Sequence, residues 1–337
     1  MTGASVKALL AKAALFLACL PSASAVLTEV HGVASLRDVV WFLAVPGYVV
    51  LAATWLLTRN AERPWVRELA DAIAIGAVGG LLATIAYDVV RIPFVIAGFR
   101  VYVPNSTYGL WILDSATSTS FSETVGWLYH FANGINFGIM YALFMRGRHW
   151  SFAIVWACLL ETIAIFSHYG IVYMLAGKPL VIAIAYFGHV AYGLPLGFMV
   201  QRWDASARYL RNLPTIGRAT VVILVVAAIV GSLTLPSQIA TDARALPSTF
   251  FVEEGRLVPD WLHLRKAGII VLKNSCTVAS LVVVDGRDQP LLAACEERRV
   301  DLAEQGIHQL YVRAGEFRSH SSFVLVDPVS EARMRTP

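Results

Sequence analysis

The sequence predicts a membrane all-α helical bundle: six transmembrane helices after a cleaved signal peptide, then a C-terminal extracytoplasmic β-sandwich-like domain. Three observations carry this reading. The 337 residues are 57% hydrophobic and only 15% charged, where soluble domains average about 25% charged. The apolar residues collect into runs of about 20, the length that crosses the hydrocarbon core of a bilayer. From residue 241 onward the material changes: charged residues return, and the apolar runs shorten to strand length.

Residues 1–25 have the three parts of a secretory signal. Lys7 and Lys12 make a positive start, "AALFLACL" is a short apolar run, and Ala23-Ser24-Ala25 supplies the small residues of a cleavage site. The mature chain is expected to begin at Val26. A lipoprotein reading through Cys19 fits less well, because Phe16-Leu17-Ala18 makes a poor lipobox.

Residues 26–240 are expected to hold the six spans, at about 39–58, 69–97, 125–145, 151–175, 180–200 and 219–235. The basic residues orient them. One set of loops carries Arg59, Arg63, Arg67, Arg146, Arg148, Arg202, Arg208, Arg211 and Arg218, and the other carries Arg37, Arg100 and Lys178. The richer set belongs on the cytoplasmic side. The mature N-terminus and the C-terminus of this multi-pass protein of a bacterial inner membrane are then both expected to be periplasmic, and a cleaved signal peptide likewise demands an exported N-terminus. Residues 100–124, rich in Ser and Thr, read as a long outside loop.

Residues 241–337 read as a periplasmic β-rich domain of immunoglobulin- or cupredoxin-like type. The runs "AGIIVLKN", "TVASLVVVDG", "HQLYVRAG" and "SSFVLVDP" are rich in β-branched residues and broken by turn signals. Cys276 and Cys295, both in this exported part, are expected to form one disulfide bond. A blue-copper site is not expected, because His308 follows Cys295 by 13 residues, too far for the Cys and His of one copper loop.

The chemistry is sought in the spans. "HFANGINFG" (130–138) and "HVAYGLPLG" (189–197) share the pattern H-x-A-x-G-x-x-x-G. Small residues four apart let helices approach closely, and Gly76 and Gly80 form a third such pair. Ionisable groups inside spans are costly and usually face a cavity or one another. Asp88, His130, Glu161, His168 and His189 fall in four different spans and mostly in the outer half. Glu161 and His168, seven apart, share a helix stripe. Asp88 and Arg91, three apart, are placed to pair along one face. The repeated motif suggests two similar hairpins.

These five residues are expected to line one pocket opening to the periplasm. Imidazole and carboxylate suit a transition metal such as Cu, Fe or Zn, or two of the histidines would hold haem. Metal-binding for redox or metal-handling chemistry is therefore the first functional expectation. The second is a proton-coupled carrier for a small solute or ion. The third is an assembly or interaction protein acting through its periplasmic domain. His149 and His263 are placed in loops. The implied partners are membrane lipid and another membrane or periplasmic protein. Nucleic acid is not expected, since the net charge is only +4 and no basic run stands out. Neither a nucleophile elbow nor a phosphate loop is present.

Overall fold

The computed structural model describes residues 3–115, 118–173, 175, 178–214, 217, 223, 226–228, 230–232, 248–253, 255–258, 261–264, 268–275, 278–302, 306–314, 317–319 and 322–326. The chain divides into two compact units, one formed by residues 1–113 and 120–236, the other by 114–119 and 237–337.

The first unit is helical. Its elements are α1 (Gly3–Val30), α2 (Leu36–Val39), a π-helical turn (Val40–Ala44), α3 (Val45–Thr58), α4 (Pro64–Val89), α5 (Ile92–Ile96), α6 (Val103–Leu113), α7 (Ser120–Phe144), α8 (Ser151–Ile165), α9 (His168–Val172), α10 (Pro179–Gln201) and α11 (Trp203–Arg211). Four helical stretches are long and apolar enough to cross a membrane: Ser5–Val30, Leu36–Thr58, Pro64–Ile96 and Pro179–Gln201. The helix Ser151–Ile165 is apolar but shorter. α7 has the length and is less apolar, since it carries His130, Asn133 and Asn136. The expected span at 219–235 lies largely outside the described residues. Large apolar side chains such as Phe42, Leu57, Val155 and Phe166 point out of the bundle, which suits a surface bathed in lipid rather than water.

Residues 3–25 do not stand apart from this bundle. α1 runs unbroken through the expected cleavage site, and Cys19, Ser22 and Ala25 are fully buried. Ser22 Oγ lies 2.8 Å from Tyr48 Oη, and the Ser22 carbonyl accepts a 2.8 Å hydrogen bond from Tyr129 Oη. Lys12 reaches Glu68 at the start of α4 at 2.7 Å, and Arg146 donates to Glu68 and Asp204.

Glycines set the helix spacing. A Cβ at Gly76 would stand 2.5 Å from the Ile139 Cα, and one at Gly80 2.6 Å from the Gly134 carbonyl oxygen. The two G-x-x-x-G faces of α4 and α7 therefore meet backbone to backbone. On α10, Gly193 lies against Ile154 and Gly197 against Trp150, so that helix closes on α8 in the same way.

Residues 100–124 are not the expected loop. Val103–Leu113 form α6, packed on α7 with Asn105, Ser106 and Thr107 buried. Pro104 sits in its first turn, where a missing N–H costs nothing. Ser106 donates to Glu123 at 2.7 Å, so polar residues that read as solvated are held inside by partners.

The second unit is strand-rich: β1 (Thr249–Glu253), β2 (Arg256–Val258), β3 (Trp261–Leu264), β4 (Ile269–Asn274), β5 (Leu281–Val284), β6 (Arg287–Asp288), β7 (Glu297–Asp301), β8 (Gly306–Ala314), β9 (Phe317–Arg318) and β10 (Ser322–Val326). One sheet runs β2-β1-β4-β7 and the other β3-β10-β8-β5-β6, with β9 on β8. Most pairs are antiparallel, while β1/β4 and β10/β3 are parallel. Alternate residues of both sheets, Phe250, Ile270 and Leu272 from one and Val282, Leu310 and Val324 from the other, make one core. His263 lies in β3, not in a loop. Asp285-Gly286, both at positive φ, turn β5 into β6. The Asp285 carboxylate faces His308 Nδ1 at 2.6 Å, so this imidazole braces the turn.

Cys276 lies outside the described residues, and among the described residues the free cysteines are Cys19 and Cys158. The Cys276–Cys295 bridge remains an expectation. It would close a loop of about 20 residues, worth roughly 3 kcal/mol in the chain-entropy model. Thiol alkylation of the unreduced full chain, followed by peptide mapping, is expected to leave both residues unlabelled, and labelling of both would refute the bridge.

Candidate functional site

Four of the five expected site residues meet, as two pairs. Asp88, one residue before the end of α4, faces His130 on α7, with Nε2 at 3.1 and 3.0 Å from the two carboxylate oxygens. Glu161 on α8 faces His189 on α10, with Oε2 at 3.5 Å from Nε2. Side-chain exposure is only 10–17% for these four groups.

The hydrogen bonds fix which nitrogen does what. A carbonyl oxygen only accepts, so His189 Nδ1, 2.9 Å from the Ala185 carbonyl, carries a proton. Its Nε2 then faces Glu161, and a single proton can sit on either partner. At His130 an ionised Asp88 takes the Nε2–H, which leaves Nδ1 as the nitrogen able to accept a second proton.

Tyr87 stands between the pairs. Its ring centroid is 4.9 Å from that of His189 and 5.8 Å from that of His130. The buried Arg91 guanidinium lies over Tyr87 at 4.3 Å and over Tyr102 at 4.9 Å. It also donates to the Val101 carbonyl. The expected Asp88–Arg91 side-chain pair is therefore replaced. α4 ends at Val89, so the helical three-residue spacing no longer aligns the two groups, and each finds a partner elsewhere.

His168 is a second correction. It is not on the Glu161 stripe, because α8 stops at Ile165 and the chain turns before α9. Its exposed ring lies 5.1 Å from that of His31. Among the described residues no three His, Cys, Asp or Glu side chains come together in a way that could hold a metal ion.

The pairs border a cavity of about 300 Å³ inside the helical unit. His130, Glu161 and His189 line it, together with Tyr87, Tyr108, Tyr169, Tyr192 and Asn133. Leu20, Ala23, Ser24 and Leu27 of α1 form part of its wall. These aromatic residues and the α1 wall were not singled out from sequence. One signal was available: Asn133 and Tyr192 both stand three residues after a motif histidine, and both line the cavity.

The two hairpins that share the motif pair and pack as follows. In each hairpin the motif histidine meets a carboxylate on the preceding long helix, Asp88 on α4 or Glu161 on α8. The glycine four residues after it packs onto that same helix, at Thr84 or Ile154, and the glycine eight residues after packs nearer that helix's start, at Gly76 or Trp150. The registers are not the same: Thr84 and Gly76 stand 4 and 12 residues before Asp88, whereas Ile154 and Trp150 stand 7 and 11 before Glu161.

Comparison of the chain with protein-family models, curated proteins and solved structures gave no match.

Proposed function

We propose that this chain is a proton-coupled carrier of the membrane, which binds a small solute in the helical cavity and exchanges a proton with it through the two His–carboxylate pairs. The observation that supports this is the pairing itself: two dyads on one cavity wall, each able to gain and lose a proton, with no third metal ligand beside them among the described residues. Asp/Glu/His groups inside spans mark proton pathways.

The pairs suit that work because a pair carries a proton at low charge cost. Loaded with one shared proton, Glu161 and His189 are neutral together. Loaded at His130 Nδ1, the imidazolium faces the Asp88 carboxylate and is again neutral in sum. Arg91 adds one fixed positive charge nearby, which offsets the negative charge left when a proton departs. A buried ion without such a partner would cost several kcal/mol. Tyr87 couples the two pairs by packing on both rings.

The finer topology belongs to the same proposal. The basic loops are cytoplasmic, the strand-rich unit is periplasmic, and residues 3–30 stay in the protein as a further span rather than leaving as a signal peptide. Lys12 bonded to Glu68, at the end where Arg59, Arg63, Arg67 and Arg146 gather, gives α1 the orientation that charge bias favours.

Infrared difference spectra of the purified protein in nanodiscs, taken between about pH 4 and pH 9, test the proton chemistry across the carboxyl and imidazole range. A protonated-carboxyl band is expected that disappears in Glu161→Gln and shifts in His189→Ala. Elemental analysis of the same sample is expected to find metal well below one ion per chain. A spectrum unchanged by Glu161→Gln, or metal at unit stoichiometry, would overturn the proposal.

A further inference from the structure

We propose that the cavity takes a lipid-soluble alcohol or phenol, which enters sideways from the bilayer between α1 and α8. The inference names a substrate class for the site proposed above and rests on that reading.

Three observations converge on it. The first is the mouth. Leu20 of α1 and Ile163 of α8 both line the cavity, yet they are 38% and 48% exposed. Leu20 lies well inside the apolar stretch Ser5–Val30, so this opening is at the depth of the hydrocarbon and not of the headgroups. α1 packs on α7 and on the second span, α8 packs on α10, and the two helices face one another across the cavity.

The second is the graded lining. Leu20 and Ile163 at the mouth, with Leu27, Leu160 and Ala164, give the cavity apolar surface, whereas Glu161, His189, His130 and Asn133 give it polar groups. A ligand that matches both carries an apolar tail and a compact polar head. A charged head would have to cross the Leu20–Ile163 mouth without water, at a cost of several kcal/mol.

The third is an unmet hydrogen bond. Asn133 Oδ1 is buried without a hydrogen-bond partner among the described residues, although Asn133 lines the cavity. Buried polar atoms left unpaired are rare in native proteins and call for a partner. Tyr108 and Tyr169, also in the lining, hold their hydroxyls 3.5 Å apart, at the outer limit of a hydrogen bond. A ligand hydroxyl donates to Asn133 and accepts from a tyrosine. It serves equally well whichever way the Asn133 amide is turned.

The probe is a fatty alcohol carrying a mid-chain diazirine, photolysed with the full-length protein in nanodiscs. Crosslinks are expected at Leu20, Leu160 and Ile163. Excess 1-dodecanol should suppress them and dodecane should not, with at least about a tenfold difference in potency, since a site built around a hydroxyl rejects the analogue lacking it. Asn133→Leu should abolish that preference. Ala164→Trp, or Leu20→Trp where the first variant folds poorly, should close the mouth and cut labelling while the thermal midpoint stays near that of the parent. Equal labelling of the outward-facing Phe42 and Leu57, insensitive to competitor, would overturn the inference. Labelling does not depend on proton exchange. Competed labelling with no Glu161-dependent infrared change would sink the proton reading alone, and the reverse outcome would sink lateral entry alone.

Discussion

Replacing residues 1–25 by an unrelated, cleavable signal peptide is expected to remove nearly all folded protein from the membrane. The replaced segment carries Cys19, Ser22 and Ala25, each fully buried. Without it, Tyr129 loses the Ser22 carbonyl and Tyr48 loses the Ser22 hydroxyl. Each orphaned polar group costs about 1–3 kcal/mol in mutational series, and hydrocarbon offers no water to replace the lost partner. The cavity also loses the wall made by Leu20, Ala23 and Ser24. Two hydroxyls and a missing wall together rival the whole stability of a typical domain, about 5–15 kcal/mol. The native protein is correspondingly expected to keep its first residues: tryptic peptides from residues 13–59 should be recovered intact, and a phosphatase fused after Pro337 should be active outside the cell membrane. Purified native chains that begin at Val26 would refute the retention of α1. Normal yield and stability of the replaced protein would refute it independently.

Gly138→Leu is expected to prevent assembly of the first hairpin. A Cβ at this position would overlap the Gly76 carbonyl oxygen and stand 2.7 Å from the Gly80 Cα. Both obstacles are backbone, so no side chain can rotate away. Overpacking a well-packed interior costs about 1–3 kcal/mol even where neighbours can shift, and here a whole helix must move. That movement also pulls His130 away from Asp88, since the histidine lies two turns along the same face. The expected readout is loss of most detergent-stable protein and, in what survives, loss of the His130 imidazole signal from the pH-difference spectrum. Gly197→Leu should act likewise on the second hairpin, through Trp150. Gly231→Leu serves as the control, because a Cβ there meets nothing within 4 Å among the described residues. A Gly138→Leu protein as stable as the Gly231→Leu protein would show that the two helices do not depend on this contact.

Composition and periodicity by themselves determined the division of this protein into a helical, membrane-length part and a strand-rich tail. They also placed two apolar helices of membrane length: the first expected span, read at 39–58, corresponds to Leu36–Thr58, and the fifth, read at 180–200, to Pro179–Gln201. These properties are local: an apolar run or an alternating run announces itself whatever it later packs against. The glycine pairs were legible for the same reason, as was the rule that buried ionisable groups in spans seek partners. Which partners they take was not legible. Asp88 and His130 are 42 residues apart, and Glu161 and His189 are 28 apart, and no local pattern joins them. The stripe argument tied His168 to Glu161 because it assumed an unbroken helix, whereas the turn after Ile165 rotates His168 away to His31. The spacing of Asp88 and Arg91 misled in the same manner where α4 ends. Residues 100–124 have the composition of a loop, and only the neighbours that hold the Ser106 and Thr107 hydroxyls, Glu123 and Tyr173, let a buried helix form there. Residues 3–30 are the sharpest case. A short apolar run after two lysines has one composition whether it is discarded or kept, and the proposal that it is kept rests on the bonds that Ser22 makes to Tyr48 and Tyr129.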